Sequence, residues 1–327
     1  MLRILLPSFL LPFFVICCIS STYGQVDSTL LQISVNWKKG ERRQYVQDYI
    51  KRTWNRDSLE SHQQYKTLIS FEVLDSTVNG YLIAYKIDSV LYDNIQPEQT
   101  VASYISTILN QMVYQFRTNE HGEFLDLENW EALQDQFIDL IERNLAAEGE
   151  VLSVEKRQTR DMLYSLVDSK EQLEDLLLRR VLCLFNSYGK AYRDDQWYEY
   201  DDELPNPYQG SELTAYGQWK AWQDKKGRLR YKDERITDED DGQYYLLDML
   251  THMLEQMNLP IGERIRQKQA LRQDMGDFTY SIADFNDLTF QKDSGWVASG
   301  AYKRILMTVY LNTKTVREEY RRFQLLR

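Results

Sequence analysis

The sequence has little cysteine and little histidine, and this excludes several kinds of site. Three of its 327 residues are cysteines and three are histidines. Cys17 and Cys18 lie within the first 24 residues, which leaves only Cys183 in the rest of the chain. One thiol cannot form an intramolecular disulfide, so a disulfide-stapled secreted domain is excluded. The histidines stand far apart in the sequence, and a zinc site of His and Cys is not predicted.

Motifs of common enzyme chemistry are also missing from the sequence. It contains no G-x-S-x-G elbow, no phosphate-binding glycine loop and no HExxH. Acidic residues at 201–203 and 238–241 offer the oxygen ligands that calcium prefers, but the second group lacks the leading Asp of a twelve-residue calcium loop. Its acids suit the start of a helix near Gln243 better. The sequence predicts no catalytic residue, no cofactor and no metal.

Basic residues are in the minority. The chain has 39 Lys and Arg against 50 Asp and Glu, a net charge of −11. Nucleic-acid binding depends on Lys and Arg that neutralise phosphates, so this balance disfavours a nucleic-acid partner. It disfavours electrostatic docking on anionic lipid for the same reason.

The first 24 residues have the features of a secretory signal peptide. Arg3 precedes an apolar run over residues 5–19, and small and polar residues follow before Gln25. The run is shorter than the ~20 residues of a membrane span, and no later stretch replaces it. Cys17 would suit a lipoprotein, but bulky residues precede it. We therefore expect an exported bacterial protein, periplasmic or extracellular, with no stable membrane span after cleavage.

Alternating apolar and polar residues predict an antiparallel sheet. The Asn79-Gly80 pair predicts a hairpin turn with positive φ at both residues. Residues 119–122, 224–227 and 292–295 each end in glycine, which is typical of a hairpin closed by a glycine bulge. The predicted strands cover residues 45–50, 68–73, 81–92 and 301–311. Residues 316–325 are a strand or a helix, and the pattern favours a strand.

Apolar residues at helical spacing predict three helices, over residues 130–141, 154–188 and 243–257, the first capped by Asn129. The predicted fold class is therefore α+β, with a curved antiparallel sheet packed against helices.

The domain prediction depends on a change of composition at residues 186–227. Prolines in the middle of this stretch indicate a long loop or connection. Residues 25–327 then form either a single α+β domain or two similar α+β halves joined through residues 186–227.

The same stretch is rich in aromatic residues interleaved with acids. Exposed Tyr and Trp suit sugar or peptide ligands, and the alternative is that these rings pack against one end of the sheet. The candidate ligand-binding residues are Trp197, Tyr198, Tyr200, Trp219 and Trp222.

Several short segments resemble uncharacterised exported proteins of Bacteroidota. They are the Tyr-Gly-Gln end of the leader, the strand at 35–45, the hairpin at 121–123 with the helix start at 127–130, and the turn at 293–296. Some such proteins are similar to the curved half-barrel of periplasmic lipoprotein carriers. That resemblance implies a hydrophobic ligand in a trough between sheet and helices.

Three functional hypotheses remain open from the sequence. The first is an exported non-enzymatic protein that binds an apolar ligand or an envelope partner through a concave antiparallel sheet. Residues such as Ile83, Tyr85, Ile305 and Met307 would line its trough. The second is a structural or assembly protein of the cell envelope. The third is an extracytoplasmic glycan hydrolase with two carboxylates ~5–9 Å apart.

Overall fold

The secondary structure is dominated by strands. The computed structural model describes residues 30–92, 110–146, 160–204, 213–274 and 279–326, with short omissions within 160–180 and 239–258 and at 311–312. The strands are β1 (Leu31–Gln32), β2 (Arg42–Asn55), β3 (Ser58–Thr77), β4 (Gly80–Tyr92), β5 (Val113–Thr118), β6 (Phe124–Leu127), β7 (Ala191–Tyr192), β8 (Gln196–Leu204), β9 (Leu213–Gln223), β10 (Leu229–Thr237), β11 (Thr279–Phe290), β12 (Val297–Tyr310) and β13 (Thr313–Leu325). The helices with described bounds are α1 (Trp130–Ala146), α2 (Lys170–Leu178), α3 (Ile261–Asp274) and a 3-10 turn, Leu182–Leu184.

Eleven of the strands form one antiparallel sheet. Their order is β6-β5-β4-β3-β2-β13-β12-β11-β10-β9-β8, while β1 and β7 pair separately. More than half of the described residues lie in strands and about a fifth in helices. The predicted α+β class is therefore wrong. Strands β2 and β3 are much longer than the alternating runs from which they were predicted, and residues 186–227 contribute β7, β8 and β9.

The sheet curves towards one of its faces, which we call the inner face. The ring of Phe116 on β5 lies 5.1 Å from that of Phe185, Phe185 lies 5.9 Å from Tyr188, and Tyr188 lies 5.6 Å from Phe290 on β11. The outer two rings are thus less than about 17 Å apart, whereas six strand spacings in a flat sheet span about 29 Å. The opposite face is called the outer face.

A large apolar cluster fills part of the inner face. It joins residues of β2 to β5 and β9 to β13 with residues of α1, α2 and the covering segment, residues 181–192. The covering segment is fixed by hydrogen bonds from Asn286 Nδ2 to the Cys183 carbonyl, 2.6 Å, and from the Tyr188 hydroxyl to the Gly295 carbonyl, 2.8 Å. A smaller cluster lies further along the same face and is covered by α3 and by helical residues between 241 and 255. Its buried members are Leu204, Leu213, Ala215, Tyr280 and Ile282.

The glycine-closed hairpins are confirmed. Gly122, Gly227 and Gly295 have φ of 95°, 71° and 73°, and they close the β5–β6, β9–β10 and β11–β12 hairpins. All five predicted strands are observed within β2, β3, β4, β12 and β13, apart from residue 311, which lies outside the described residues. The hairpin at Asn79-Gly80 is also confirmed, but only Gly80, at 134°, has a positive φ there.

The helix predictions are confirmed in part. Helix α1 begins at Trp130, but the side chain of Asn129 bonds to β5: its Oδ1 accepts from the Gln115 amide at 2.9 Å and its Nδ2 donates to the Val113 carbonyl at 3.0 Å. The predicted continuous helix over residues 154–188 is wrong. Turns interrupt it at 167–169 and again after α2, and residues 154–159 lie outside the described residues.

Between 241 and 255 every described residue is helical, as predicted. The predicted long loop over residues 186–227 is wrong, because most of this stretch belongs to β7, β8 and β9; residues 205–212, which include both prolines, lie outside the described residues. Residues 1–24, the predicted signal peptide, lie outside them too.

Candidate functional site

The five candidate aromatic residues lie on two opposite faces of the sheet. Successive residues of a strand point to opposite faces. Tyr198, Tyr200 and Trp219 therefore belong to the inner face, while Trp197 and Trp222 belong to the outer face. The sheet does not bring these five residues together as one ligand site.

On the inner face, the aromatic residues surround a lysine of the covering segment. Lys190 Nζ lies 5.3, 4.9 and 5.4 Å from the ring centres of Tyr200, Trp219 and Tyr231, and it donates a hydrogen bond to the Tyr231 hydroxyl at 3.0 Å. Burial lowers the pKa of Lys190, although the nearby carboxylate of Asp233 opposes that shift. The Tyr200 hydroxyl donates to Asp233 at 2.7 Å. The three rings therefore surround the ammonium group of Lys190, which belongs to the same chain.

On the outer face, Trp197 and Trp222 flank a lysine. Lys220 Nζ lies 5.0 Å from each ring centre, and it forms an ion pair of 2.6 Å with Asp195. Trp197 is 38% exposed. The pair of indoles with an ammonium between them is a solvent-facing arrangement that strengthens the β8–β9 edge.

A row of alternating charges crosses the inner face. Lys51, Glu319, Arg304, Asp284 and Arg235 are successive cross-strand partners on β2, β13, β12, β11 and β10. We call these five residues the charged row. Directly opposed side chains in an antiparallel sheet lie ~5 Å apart, so each charge faces opposite charges on its neighbours.

Asp284 has the largest set of partners in the charged row. It accepts hydrogen bonds from Arg304 Nε and Nη2, both at 2.7 Å, from Arg235 Nη2 at 3.0 Å and from the Tyr302 hydroxyl at 2.8 Å. Burial alone would raise the pKa of Asp284, but the hydrogen bonds and charge of Arg304 and the charge of Arg235 hold that pKa below its ordinary value. Arg235 also pairs with Asp202 on β8.

The charged row lies between the two apolar clusters. On β11 and β10, Leu288 and Tyr231 belong to the larger cluster. Ile282 on β11 and Ala215 on β9 belong to the smaller one. The inner face therefore has two apolar regions with an ionic band between them.

A glycan hydrolase needs two carboxylates that face each other across a cleft, and this band contains two carboxylates close to one another. Asp202 and Asp284 both bind the guanidinium of Arg235. The cation occupies the space between the two carboxylates, where a sugar ring and a water molecule would have to fit.

The predicted apolar trough is not formed by the residues named for it. Ile83 and Tyr85 are buried on the inner face, where the Tyr85 ring lies 5.3 Å from that of Tyr114. Ile305 opposes Glu318 on β13, and this register places Ile305 and Met307 on the outer face. The four residues therefore cannot line one trough.

Two of the hollows among the described residues lie on opposite faces of the sheet. One, of about 10 Å³, holds a single water molecule at most and is lined by Gln47, Tyr49, Tyr65, Thr67, Ile87, Val90, Asn110 and Arg321. The other, of about 330 Å³, lies on the outer face and is lined by Ile50, Arg52, Lys303, Glu318, Tyr320 and Arg322.

Three further features of the described part of the chain bear on possible sites. Within the described ranges, no group of three or more His, Cys, Asp or Glu side chains is placed to hold a metal ion. None of the helices described is both long and apolar enough to cross a membrane. Cys183 is buried, and burial raises the pKa of its thiol to about 12.

The charged row was not predicted from the sequence. On β11 the signal in the sequence is a single charge among the alternating residues of a face that is otherwise mostly apolar. Asp284 stands between Ile282 and Leu288 in this way. Which strand supplies the partner charge depends on register, which the sequence pattern does not give.

Comparison with known proteins identifies no family. No family model and no curated protein matches this chain. One solved structure with a similar arrangement is described as "Lipid-protein interactions in lipovitellin"; it has a TM-score of 0.44 and 11% sequence identity. The match covers 89% of this chain and 26% of that one, so this chain spans about a quarter of the length of its structural neighbour. The resemblance to exported proteins of Bacteroidota stays a prediction.

Proposed function

We propose that this protein binds an apolar or amphiphilic ligand between the inner face of its sheet and the helices that cover that face. The supporting observation is an open, curved sheet covered by helices instead of a second sheet. In the described part of the chain, β6 and β8 end the sheet without pairing to each other. Helices α1 and α2 contribute no strand to the sheet, so they can shift without the loss of a strand pair.

Apolar side chains of helix α1 already occupy the position on the inner face that such a ligand would take. Leu133, Phe137 and Ile141 project from α1 into the larger cluster at helical spacing, and each is at most 1% exposed. An alkyl chain that displaced them would bury a similar apolar area, at about 25 cal/mol for each Å². The unliganded form is then a closed form, in which the cover's own side chains fill the site.

Export belongs to the same proposal. The first 24 residues support delivery to the periplasm or the cell exterior, where a carrier of apolar molecules would meet envelope lipids or an envelope partner. N-terminal sequencing of the protein from fractionated cells tests this, and a mature chain that begins at Gln25 is the expected result. An uncleaved chain in the cytoplasm would contradict export.

The first test of ligand binding is organic extraction and mass spectrometry of residues 25–327 purified from a bacterial periplasm. We expect about one lipid per chain. A delipidated sample should then bind one equivalent of a fluorescent fatty acid, and at 100 times the dissociation constant this should stabilise the fold by ~2.7 kcal/mol.

Matched variants locate the ligand. Phe137→Ala changes the cover and should alter the affinity for the fluorescent fatty acid. Met307 lies on the outer face, and Met307→Gln should leave that affinity unchanged. A protein that carries no lipid and binds no fatty acid contradicts the proposal, and so does binding that depends on Met307 but not on Phe137.

A further inference from the structure

Four cations gather around one carboxylate at the β2–β13 end of the charged row. Arg317 Nη2 lies 2.5 Å from Glu319, and Arg321 Nη2 lies 3.6 Å from it. Lys51 and Arg304 are the cross-strand neighbours of Glu319. We call Lys51, Arg304, Arg317 and Arg321 the cationic cluster.

The charges of this region do not balance. Lys51, Arg304, Arg317 and Arg235 alone supply four positive charges, whereas the described carboxylates that they face, Glu319, Asp284 and Asp202, supply three negative ones. Asp284 and Asp202 are engaged by Arg235 and Arg304. Among the described groups, a surplus of at least one positive charge therefore falls at the Glu319 end, within a chain whose net charge is −11.

The cationic cluster opens to solvent on one side. The side chain of Arg317 is 42% exposed and that of Arg321 is 8% exposed, so the cluster runs from the surface inwards. Arg317 Nε is buried, and no described residue accepts a hydrogen bond from it. Burial and the charge of Arg317 lower the pKa of Lys51. Each of these features would be relieved by an anion with several oxygen acceptors.

Both apolar clusters lie next to the cationic cluster. Arg321 lies against the rings of Tyr49 and Tyr302, at 5.7 and 5.5 Å, and Tyr302 belongs to the larger cluster. Leu306, two residues beyond Arg304 on β12, packs against the smaller one. A molecule with its charged end at the cationic cluster could therefore lay its chain along either apolar region.

We infer that the cationic cluster receives the anionic head group, a phosphate or a carboxylate, of an amphiphile whose chain lies between the sheet and the helices. The inference rests on the proposed function and adds to it the chemical class of the ligand. A neutral or cationic amphiphile of the same chain length would leave the surplus charge unpaired and would bind more weakly.

The chain offers a matched control for every change. Arg52 follows Lys51 on β2, and Arg322 follows Arg321 on β13, but both point to the outer face. The double variant Lys51→Gln with Arg317→Gln removes two positive charges from the inner face. Arg52→Gln with Arg322→Gln removes the same charge from the outer face and the same strands.

The experiment is calorimetric titration of residues 25–327, and of both double variants, with dodecyl phosphate, dodecyl maltoside and inorganic phosphate, all below micelle concentrations. We expect dodecyl phosphate to bind the unaltered chain at least tenfold more tightly than dodecyl maltoside, about 1.4 kcal/mol. The Lys51/Arg317 variant should lose this preference, and the Arg52/Arg322 variant should keep it. Thermal unfolding confirms that both variants are folded.

Other outcomes overturn the inference in distinguishable ways. Equal binding of the two dodecyl ligands refutes the head-group assignment and leaves the proposed function standing. Inorganic phosphate that binds as tightly as dodecyl phosphate shows a free-anion site. Loss of preference only in the Arg52/Arg322 variant moves the site to the outer face. Binding of neither dodecyl ligand refutes the proposed function itself.

Discussion

Replacement of Asp284 by asparagine should destabilise the fold severely. The carboxylate is 4% exposed and binds two guanidinium groups and one hydroxyl. Asparagine has nearly the same size, so the packing changes little. The charge disappears, however, and Arg304 and Arg235 lose the anion that they share.

The magnitude follows from the contacts. Asp284 takes part in four hydrogen bonds, three of them from charged donors at 2.7 to 3.0 Å. A hydrogen bond to a charged group contributes about 1.5–3 kcal/mol, and the amide oxygen of asparagine can retain part of the set. Removal of one partner of a buried ion pair costs about 3–5 kcal/mol, and we expect a loss in that range. Against a total stability of about 5–15 kcal/mol, this is a large fraction.

The assay is urea unfolding at pH 7, followed by far-UV circular dichroism, with Asp287→Asn as the control. Asp287 lies on the same strand, but its side chain is 46% exposed and pairs with Arg230 at 2.8 Å on the outer face. An exposed pair contributes less than about 1 kcal/mol. If the two variants lose the same stability, or if Asp284→Asn loses less than about 1 kcal/mol, the argument from the buried network is wrong.

The pH dependence gives a second check on the same variant. The folded state holds the pKa of Asp284 below its ordinary value. The stabilisation by the carboxylate is therefore complete above the unfolded pKa, near 4, and is lost as the pH falls through the lower folded value. The stability difference between the unaltered chain and the variant should be constant from pH 8 to 5 and shrink below pH 4. A difference that widens on acidification would contradict this account.

Three further predictions concern local features. Gly80→Ala should lower the free energy of unfolding in urea by at least about 3 kcal/mol, because a Cβ at Gly80 would lie 2.0 Å from a backbone carbonyl oxygen. Gly40→Ala should lower it by only about 1–2 kcal/mol, since nothing lies within 4 Å of a Cβ there. Equal losses would refute the steric reason. Cys183 should not react with a thiol reagent at pH 8 until urea unfolds the chain, since its thiol is buried and its pKa is raised to about 12, and rapid reaction of the folded protein would show an open route to it. The Asp224 carboxyl should titrate by NMR with a pKa of about 2, held there first by the hydrogen bond from Arg228; Arg228→Gln should raise that pKa, and no change would assign the shift to the backbone donors instead.

The features that the sequence predicted correctly are local ones. A glycine with positive φ marks the β3–β4, β5–β6, β9–β10 and β11–β12 hairpins, because only a few backbone conformations reverse the chain so sharply. Alternation places Ile83 and Tyr85 together because both belong to one strand. Such signals depend on residues that are close in the sequence, and they needed no knowledge of the sheet order.

The errors concern relations between distant strands. Alternation shows which residues of β12 share a face, but it does not show that the face with Ile305 is opposite to the face with Ile83. That relation depends on the register of every strand between them. In residues 196–204, alternation exists as well, since Tyr198 and Tyr200 point inwards and the residues between them point outwards. Polar and aromatic residues occur on both faces there, so the strand resembled a loop.

The pairing of β2 with β13 has a consequence for how the chain folds. Connections of at most about 40 residues join all the other neighbours in the sheet. The β2–β13 pair instead closes a loop of about 260 residues, at an entropy cost about 4 kcal/mol above that of a two-residue turn. We expect the two halves of the sheet to form early and their central seam to form last. On the ribosome the seam cannot close until residue 325 has emerged. Until then β2 presents a fourteen-residue unpaired edge, and protection of that edge from other chains is needed throughout synthesis.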